Sequence, residues 1–515
     1  MGYVQNDQNN SMIKLINSIV NKFNTKRLKR IDYFKTHPFS VQEETLFELL
    51  RQAKNTEWGK RYQFDKINDI AAFQSLLPLQ TYEDVKPYID RIRNGGQNIL
   101  WSSDISWFAK SSGTTADKSK FLPVSREALK NCHFQGGYDV LAFYALQNPK
   151  TRIFTSKTLT LGGSHEINRA ENHSRYGDLS AILIENIPRW ADLIRTPPAK
   201  IALLADFEKK LEQIARISVQ KHVVAFTGVP SWNMALMKYI LNYTGKKNIM
   251  EIWPDMELFI HGGVCFEPYR EQYRLLFPSP DMHYFETYNA SEGFFALQDD
   301  PLSDDMLLML DYSVFYEFIP VEDVEKENPA VLTIDQVETN RNYAVVITTN
   351  SGLWRYIIGD TVVFTSTSPH KIKISGRTQQ YINAFGEEVI VDNAEKALKE
   401  VCLETNAIVS EYTAGPVYMD CDHNGAHEWL IEFEKEPEDL HIFTKKLDMA
   451  LCSLNSDYEA KRNKNITLRM PVVHSLPKET FYNWMKQRGK LGGQNKVPRL
   501  SNDRKYLDEI LQLVQ

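Results

Sequence analysis

The chain has 515 residues, with 60 Lys and Arg against 66 Asp and Glu, for a formal charge of −6. Hydrophobic residues make 43% and charged residues 24%, ordinary for a globular protein of two to three domains with surface enough to bury a core. Mean hydropathy is −0.40, and no apolar run approaches the ~18 residues of a membrane helix, so no membrane span is expected. The mild acidity argues against a dedicated nucleic-acid binder.

The opening MGYVQNDQNN lacks a basic segment followed by an apolar one, so no signal peptide is expected. Asn6 stands where a myristoylation signal wants Ser or Thr. Met12, Ile13, Ile16, Ile19, Val20 and Phe23 recur at helical spacing before the basic KRLKR at 26–30. They predict a docked helix with a solvated basic end, with a membrane-surface helix as the alternative. QEETLFELLRQA, with Leu46, Leu49 and Leu50, and TYEDVKPYIDRI, with Thr81 as cap, predict further helices.

From about residue 105 to 375 the texture changes. KHVVAFTGVP, MELFIHGGV, MHYFETYNA and NYAVVITTNSG are β-rich runs ending in Gly, Asn or Pro, with amphipathic segments between them. That alternation indicates α/β layering, in which ligands gather beyond the carboxyl ends of the strands. TSTSPHKIKISGRT at 365–378 mixes Ser, Thr, Pro and Gly and is read as a domain linker. Beyond it come helical DNAEKALKEVCLE, strand-like EWLIEFE and a basic tail. Residues 461–505 hold twelve Lys or Arg against Glu479 and Asp503, which predicts a solvated small domain facing an anionic ligand. The five cysteines (Cys132, Cys265, Cys402, Cys421 and Cys452) form no CxxC pair, which favours reduced thiols and a cytoplasmic location.

Three segments carry chemistry. SSGTTADKSKFLP at 111–123 offers hydroxyls, Gly113 and Lys120, the donors a polyphosphate requires, although GxxxxGK[ST] cannot be fitted to it. TYNASEG at 287–293 supplies Tyr288 to stack on a base, Ser291, and Glu292 to hold a hard Mg²⁺. LWRYIIGD at 353–360 supplies Asp360, a carboxylate that can accept two vicinal ribose hydroxyls. Each alone has a bland reading as a turn or strand end. Together they describe one nucleotide.

SSGTT…K, YNASE and YIIGD, in this order, resemble the three nucleotide-binding motifs of the acyl-adenylate-forming superfamily. Within it the chain is most similar to the auxin-responsive Gretchen Hagen family of acyl-acid amido synthetases, through QAKNTEWGKRYQF, TGVPSW, HGGV, GRTQQYINAFGEEV and GGQNKVPRL. The resemblance implies a large N-terminal α/β domain of layered sheets and helices (1–370), a hinge (371–380) and a smaller mobile α+β lid (381–515). Ser111, Ser112, Gly113, Thr114 and Thr115 would hold phosphates with Lys120 close by, and Gly262 and Gly263 would border the adenine. Tyr288 would lie against the base, Ser291 near the α-phosphate and Glu292 on Mg²⁺, with Asp360 and Arg377 fixing the ribose. Lys496 matches the C-terminal lysine, making Lys120, Glu292 and Lys496 the catalytic set. Two departures stand out: Asp117 where the first motif has a second Gly, and Arg355 as the nearest substitute for an Arg two before Gly-Asp.

The implied reaction uses ATP and Mg²⁺ to convert a carboxylic acid to its acyl-adenylate, then passes the acyl group to an amine, most simply that of an amino acid. An acyl-CoA ligase shares the first half, and a silent nucleotide sensor would keep only the site. No Ser-His-Asp set or G-x-S-x-G elbow supports an acyl-serine route.

Overall fold

A computed structural model describes residues 25–112, 119–163, 174–204, 206–264, 266–378, 380–420, 423–462, 467–488 and 497–514. The helix expected over 12–23 lies outside the described residues, as do Gly113, Thr114, Thr115, Asp117 and Lys496.

Residues 25–36 are helical, but their basic end is not simply solvated. Arg27 pairs with Asp139 at 2.7 Å and donates to Asp311 at 2.9 Å, and those two side chains are 0% and 8% exposed. A buried carboxylate needs a cation more than the solvent needs an arginine. Helices Pro38–Ala53 and Tyr82–Arg93 follow as predicted; Leu46, Leu49 and Leu50 are buried, and the backbone N–H of Thr81 donates to Asp84 at 2.8 Å.

The strands are β1 (Trp107–Ser112), β2 (Ser119–Val124), β3 (Lys157–Thr160), β4 (Arg175–Gly177), β5 (Arg195–Thr196), β6 (Val223–Gly228), β7 (Leu258–Gly262), β8 (His283–Ala290), β9 (Gly293–Leu297) and β10 (Met306–Leu308). They continue with β11 (Val314–Pro320), β12 (Asn342–Thr349), β13 (Tyr356–Thr367), β14 (His370–Arg377), β15 (Tyr381–Ile382), β16 (Val389–Ile390), β17 (Ile408–Val417), β18 (Ala426–Lys435) and β19 (Val472–Leu476). Eleven of them form one sheet, in the order β11-β12-β13-β14-β10-β9-β8-β7-β6-β3-β5. From β5 to β8 the pairings are parallel; from β8 to β11 they are antiparallel. The parallel strands are covered on both faces, which is why β6 reads as an unbroken apolar run, Val223 to Phe226 being 0% exposed. Phe226 stacks on its register partner Phe259 at 4.2 Å.

Up to Arg377 the segment read as a linker is a β-hairpin. Residues 365–367 end β13, residues 370–377 are β14, and Thr367 pairs with His370 across a two-residue turn at Ser368-Pro369. Phe364 and Ile372 face the core at 0% and 1% exposure while Ser and Thr take the outer positions. Ser and Thr suit the open face of a strand, so composition alone misled; the period-two apolar residues were the stronger signal.

The C-terminal part builds its own sheet, β17-β18-β19, under helices Val391–Thr405 and Leu440–Leu454. It rests on the larger part: Tyr269 donates to the Ala384 carbonyl at 2.8 Å, and Asn383 to the Gly263 carbonyl at 3.3 Å. Three arginines of the basic tail turn to carboxylates of the C-terminal part. Arg462 holds Asp448 at 2.6 Å, Arg499 lies 3.4 Å from Glu395, and Arg504 holds Glu428 at 2.7 Å. These three charges are thus neutralised within the C-terminal part.

Candidate functional site

A cavity of about 1480 Å³ opens where the parallel strands end. Its wall includes Thr160, Gly228, Gly262 and Thr287 from the ends of four strands, and residues of the C-terminal part close it opposite. That position follows from the fold, because strand ends in a parallel sheet leave a crevice between the flanking helices.

Four charged side chains meet at one end. β1 and β2 form an antiparallel pair that sets Ser111 directly across from Lys120, so both lie on strands. Glu292 sits in the tight turn between β8 and β9, and Asp360 and Arg377 are register partners on β13 and β14. Arg377 Nε lies 3.1 Å from Asp360 Oδ1, and the Tyr288 hydroxyl donates to Asp360 Oδ2 at 2.6 Å. Arg377 is also gripped by Glu388 from the C-terminal part.

Burial works against the charges of Lys120, Glu292 and Arg377. It pushes the Lys120 ammonium below the usual lysine range, with Glu292 and Asp360 pulling the other way. Burial likewise pushes the Glu292 carboxyl up, against the attraction of Lys120. For Arg377, burial is outweighed by Asp360, Tyr381, Glu292 and Tyr288 acting together, which hold the guanidinium above its ordinary value. A cation and a carboxylate kept partly desolvated in this way are electrostatically poised for a charged ligand. Among the described residues no group of three or more His, Cys, Asp or Glu could hold a metal. The single Glu292 carboxylate nonetheless fits Mg²⁺, which takes one or two carboxylates and can complete its shell with phosphate oxygens and water.

Several assignments from sequence change in detail. Tyr288 is buried, edge-on to Phe295 at 4.9 Å, and its hydroxyl orients Asp360. Both Asp360 oxygens are engaged, and each keeps a further lone pair for a ligand hydroxyl. Gly262 has a packing reason of its own: a Cβ there would lie 2.3 Å from the Thr287 carbonyl oxygen of the paired strand. Gly263 has φ +83°, open to glycine. Ser291 lines the cavity. Arg355 does not reach it. Its guanidinium is bidentate on Glu317 at 2.9 and 3.0 Å, donates to the Gln74 carbonyl at 2.8 Å, and is 5% exposed.

Other residues of the site were not singled out from the sequence. His133 and His261 line the cavity as neutral imidazoles, burial bringing them down to about 4 and about 3. His133 Nδ1 is 3.0 Å from the Asn289 amide oxygen, and its backbone lies in a π-turn that widens the helix before Phe134. Glu286, also on the wall, is pushed up to about 6 by burial. Helices Phe134–Gln147, Leu179–Glu185 and Arg189–Ile194, with Ile187 in the connection between the last two, supply an apolar arm that includes Tyr138, Leu141, Leu183 and Trp190; the Tyr138 and Trp190 rings meet edge to face at 6.2 Å. A lone His in an apolar helix carries no sequence signal of its own.

Fold and cavity define a two-part α/β protein with an ionic, nucleotide-sized crevice continuous with an apolar one. The chain belongs to the GH3 family: residues 27–282 match its N-terminal domain, 307–377 its central domain and 392–505 its C-terminal domain. It is 25% identical to the Arabidopsis thaliana indole-3-acetic acid-amido synthetase GH3.4, over 92% of this chain and 91% of that one. It is 22% identical to the 4-substituted benzoates-glutamate ligase GH3.12 of the same plant, over 91% and 94%. The solved AtGH3.15 acyl acid amido synthetase in complex with 2,4-DB superposes with a TM-score of 0.61 at 17% identity, covering 95% and 96% of the two chains. Among the described residues no helix is long and apolar enough to cross a membrane.

Proposed function

We propose that the protein is an ATP-dependent acyl-acid amido synthetase that adenylates a carboxylic acid and joins the acyl group to the amine of an amino acid. The observation that carries this reading is the convergence of Lys120, Glu292, Asp360 and Arg377 at one end of a cavity whose other arm is apolar. At about 1480 Å³ the cavity exceeds the usual 300–1,000 Å³ of a single-ligand pocket, which suits a nucleotide and an acid together.

A carboxylate is a poor electrophile because its leaving group would be oxide; displacement at the α-phosphorus gives it AMP as a leaving group instead. Charge accumulates on phosphate oxygens in that step, and Lys120, with Ser111 across the β1–β2 hairpin from it, would compensate it; Ser112, Thr114 and Thr115 are the residues expected to add hydroxyls. Glu292 would hold Mg²⁺, which supplies Lewis-acid compensation when bound. Asp360, oriented by Tyr288 and Arg377, takes the ribose, and the glycines at 262 and 263 let the base approach backbone. Tyr138, Leu183 and Trp190 enclose the body of an apolar or aromatic acid. In this reading residues 1–370 carry the nucleotide and acid, a hinge lies within 371–380, and residues 381–515 act as a lid that brings Lys496 to the α-phosphate.

The test is ATP–pyrophosphate exchange across a panel of carboxylic acids, followed by product mass with mixed amino acids and coenzyme A. Exchange followed by an acyl-amide is expected. Exchange followed only by a thioester would replace the synthetase with an acyl-CoA ligase, and ATP binding without exchange for any acid would leave a nucleotide sensor.

A further inference from the structure

Helix Ser456–Arg462 belongs to the C-terminal part, yet it lies on the phosphate-side hairpin, with Ser456 Oγ 2.9 Å from Ser119 Oγ. Its last two residues meet opposite fates. Arg462 turns back into its own part and is bidentate on Asp448, at 2.6 Å for each nitrogen. Lys461 turns into the cavity, where it is only 8% exposed. Its Nζ lies 4.1 Å from the centroid of the Trp232 ring. Among the described residues its ammonium makes no hydrogen bond and no ion pair.

An ammonium stripped of water carries three donors and is costly to leave without an acceptor. The ring face of Trp232 compensates part of that cost but accepts none of the three hydrogens in a conventional bond. Burial accordingly depresses the affinity of Lys461 for its proton, while Asp457, Asp178 and Glu387 act from further away to keep it charged. Lysine here makes sense only if an anionic group arrives. Of those acids, Asp178 and Asp457 also line the cavity. The neighbouring Lys210 is already committed, donating to the carbonyls of Gly162 and Gly163 at 3.1 and 3.0 Å. A polyanion such as a second nucleotide would meet two carboxylates in this corner. A zwitterion would meet one group of each sign.

We propose that Lys461 receives the α-carboxylate of the amino-acid acceptor, in a corner where Asp178 and Asp457 face its amino end. The proposal rests on the reading of the protein as an acid–amino acid ligase. It makes the C-terminal part the carrier of acceptor recognition, because helix Ser456–Arg462 brings Lys461 to the cavity wall.

The test compares three amines on one acid that supports exchange: an amino acid, its carboxamide and hydroxylamine. The wild-type protein is expected to prefer the free amino acid over the carboxamide by about tenfold to hundredfold in kcat/KM, the range of one charge-assisted hydrogen bond. In Lys461→Met that preference is expected to fall to about one, through KM for the amino acid, while hydroxamate still forms; Lys461→Arg should retain a preference. Wild-type protein that uses the carboxamide as well as the amino acid overturns the proposal, and that comparison needs no variant to fold. So does Lys461→Met, or Lys461→Gln should the methionine variant be unstable, if it keeps the full preference. Exchange with no amide from any amino acid defeats the ligase reading and this proposal together; amide formation without preference for a carboxylate defeats this proposal alone.

Discussion

Two charged regions of the cavity wall handle charge in opposite ways. At the hairpin end, Asp360 is held by Tyr288 and Arg377, Arg377 by Glu388 as well, and Lys120 is set between Glu292 and Asp360. On helix Ser456–Arg462, Lys461 faces the cavity over Trp232, and its ammonium has no hydrogen-bond acceptor among the described residues. The first arrangement is assembled before any ligand arrives, as transition-state stabilisation requires, since dipoles that need not reorganise act at full strength. The second leaves a charge for the ligand to complete, as selective binding requires, because the wrong ligand then leaves that charge unanswered.

The largest effect on folding should come from a residue that the sequence placed at the wired end and the structure removes from it. Arg355→Ala leaves Glu317, 1% exposed, without its cation and should cost about 3–5 kcal/mol of unfolding free energy. Denaturant melts measure this, and an unchanged KM for ATP in the folded fraction would confirm that Arg355 lies outside the site. Glu292→Gln keeps the shape and removes the charge, so exchange should fall about 10²–10³-fold with the melting temperature preserved. Wild-type exchange in this variant would dissolve the distinction between a preassembled end and an open one.

Asp360→Ala should raise KM for ATP by about tenfold to hundredfold, the worth of one charged acceptor, with little change in KM for the acid. Tyr288→Phe is the finer probe: it leaves Asp360 to Arg377 alone and should reproduce only a fraction of that loss. Equal changes for both substrates would mean that the pair is structural.

The smallest expected effect is one of pH. Burial raises the Glu286 carboxyl from 4.5 to about 6. Below about pH 4.5 it is protonated folded and unfolded, and makes no difference. As pH rises through about 6 the folded state must hold a charge that burial disfavours, so stability is lost on the alkaline side. Glu286→Gln should therefore raise stability by on the order of 1 kcal/mol at about pH 8 and by nothing at about pH 4. A thermal-melt series over that range checks the sign.

Much of the fold was legible because its signals are local. The apolar runs at 223–226 and 258–260 announce strands buried on both faces, and the apolar spacing of Leu46, Leu49 and Leu50 announces a helix with one buried face. The site was legible where chemistry and motif coincide in a few consecutive residues, as at Glu292 and Asp360. The hairpin at 365–377 was misread because Ser and Thr are as suited to an open strand face as to a linker. Lys461 was passed over as one of twelve cations in the tail, since nothing in its neighbours along the chain distinguishes it from Arg462.

The sequence by itself determined which segments become helix and strand, the α/β class, and the residue types able to bind a nucleotide, because periodicity and side-chain chemistry are properties of short stretches. Only the tertiary structure decided which charges are spent internally and which are left for a ligand. Arg27, Arg355, Arg462 and Arg504 each find a carboxylate far along the chain or across a turn, and Lys461 does not. Whether a cation stabilises the fold or serves a ligand depends on burial and on partners that come near only when the chain has packed, and neither quantity is written in the order of the residues around it.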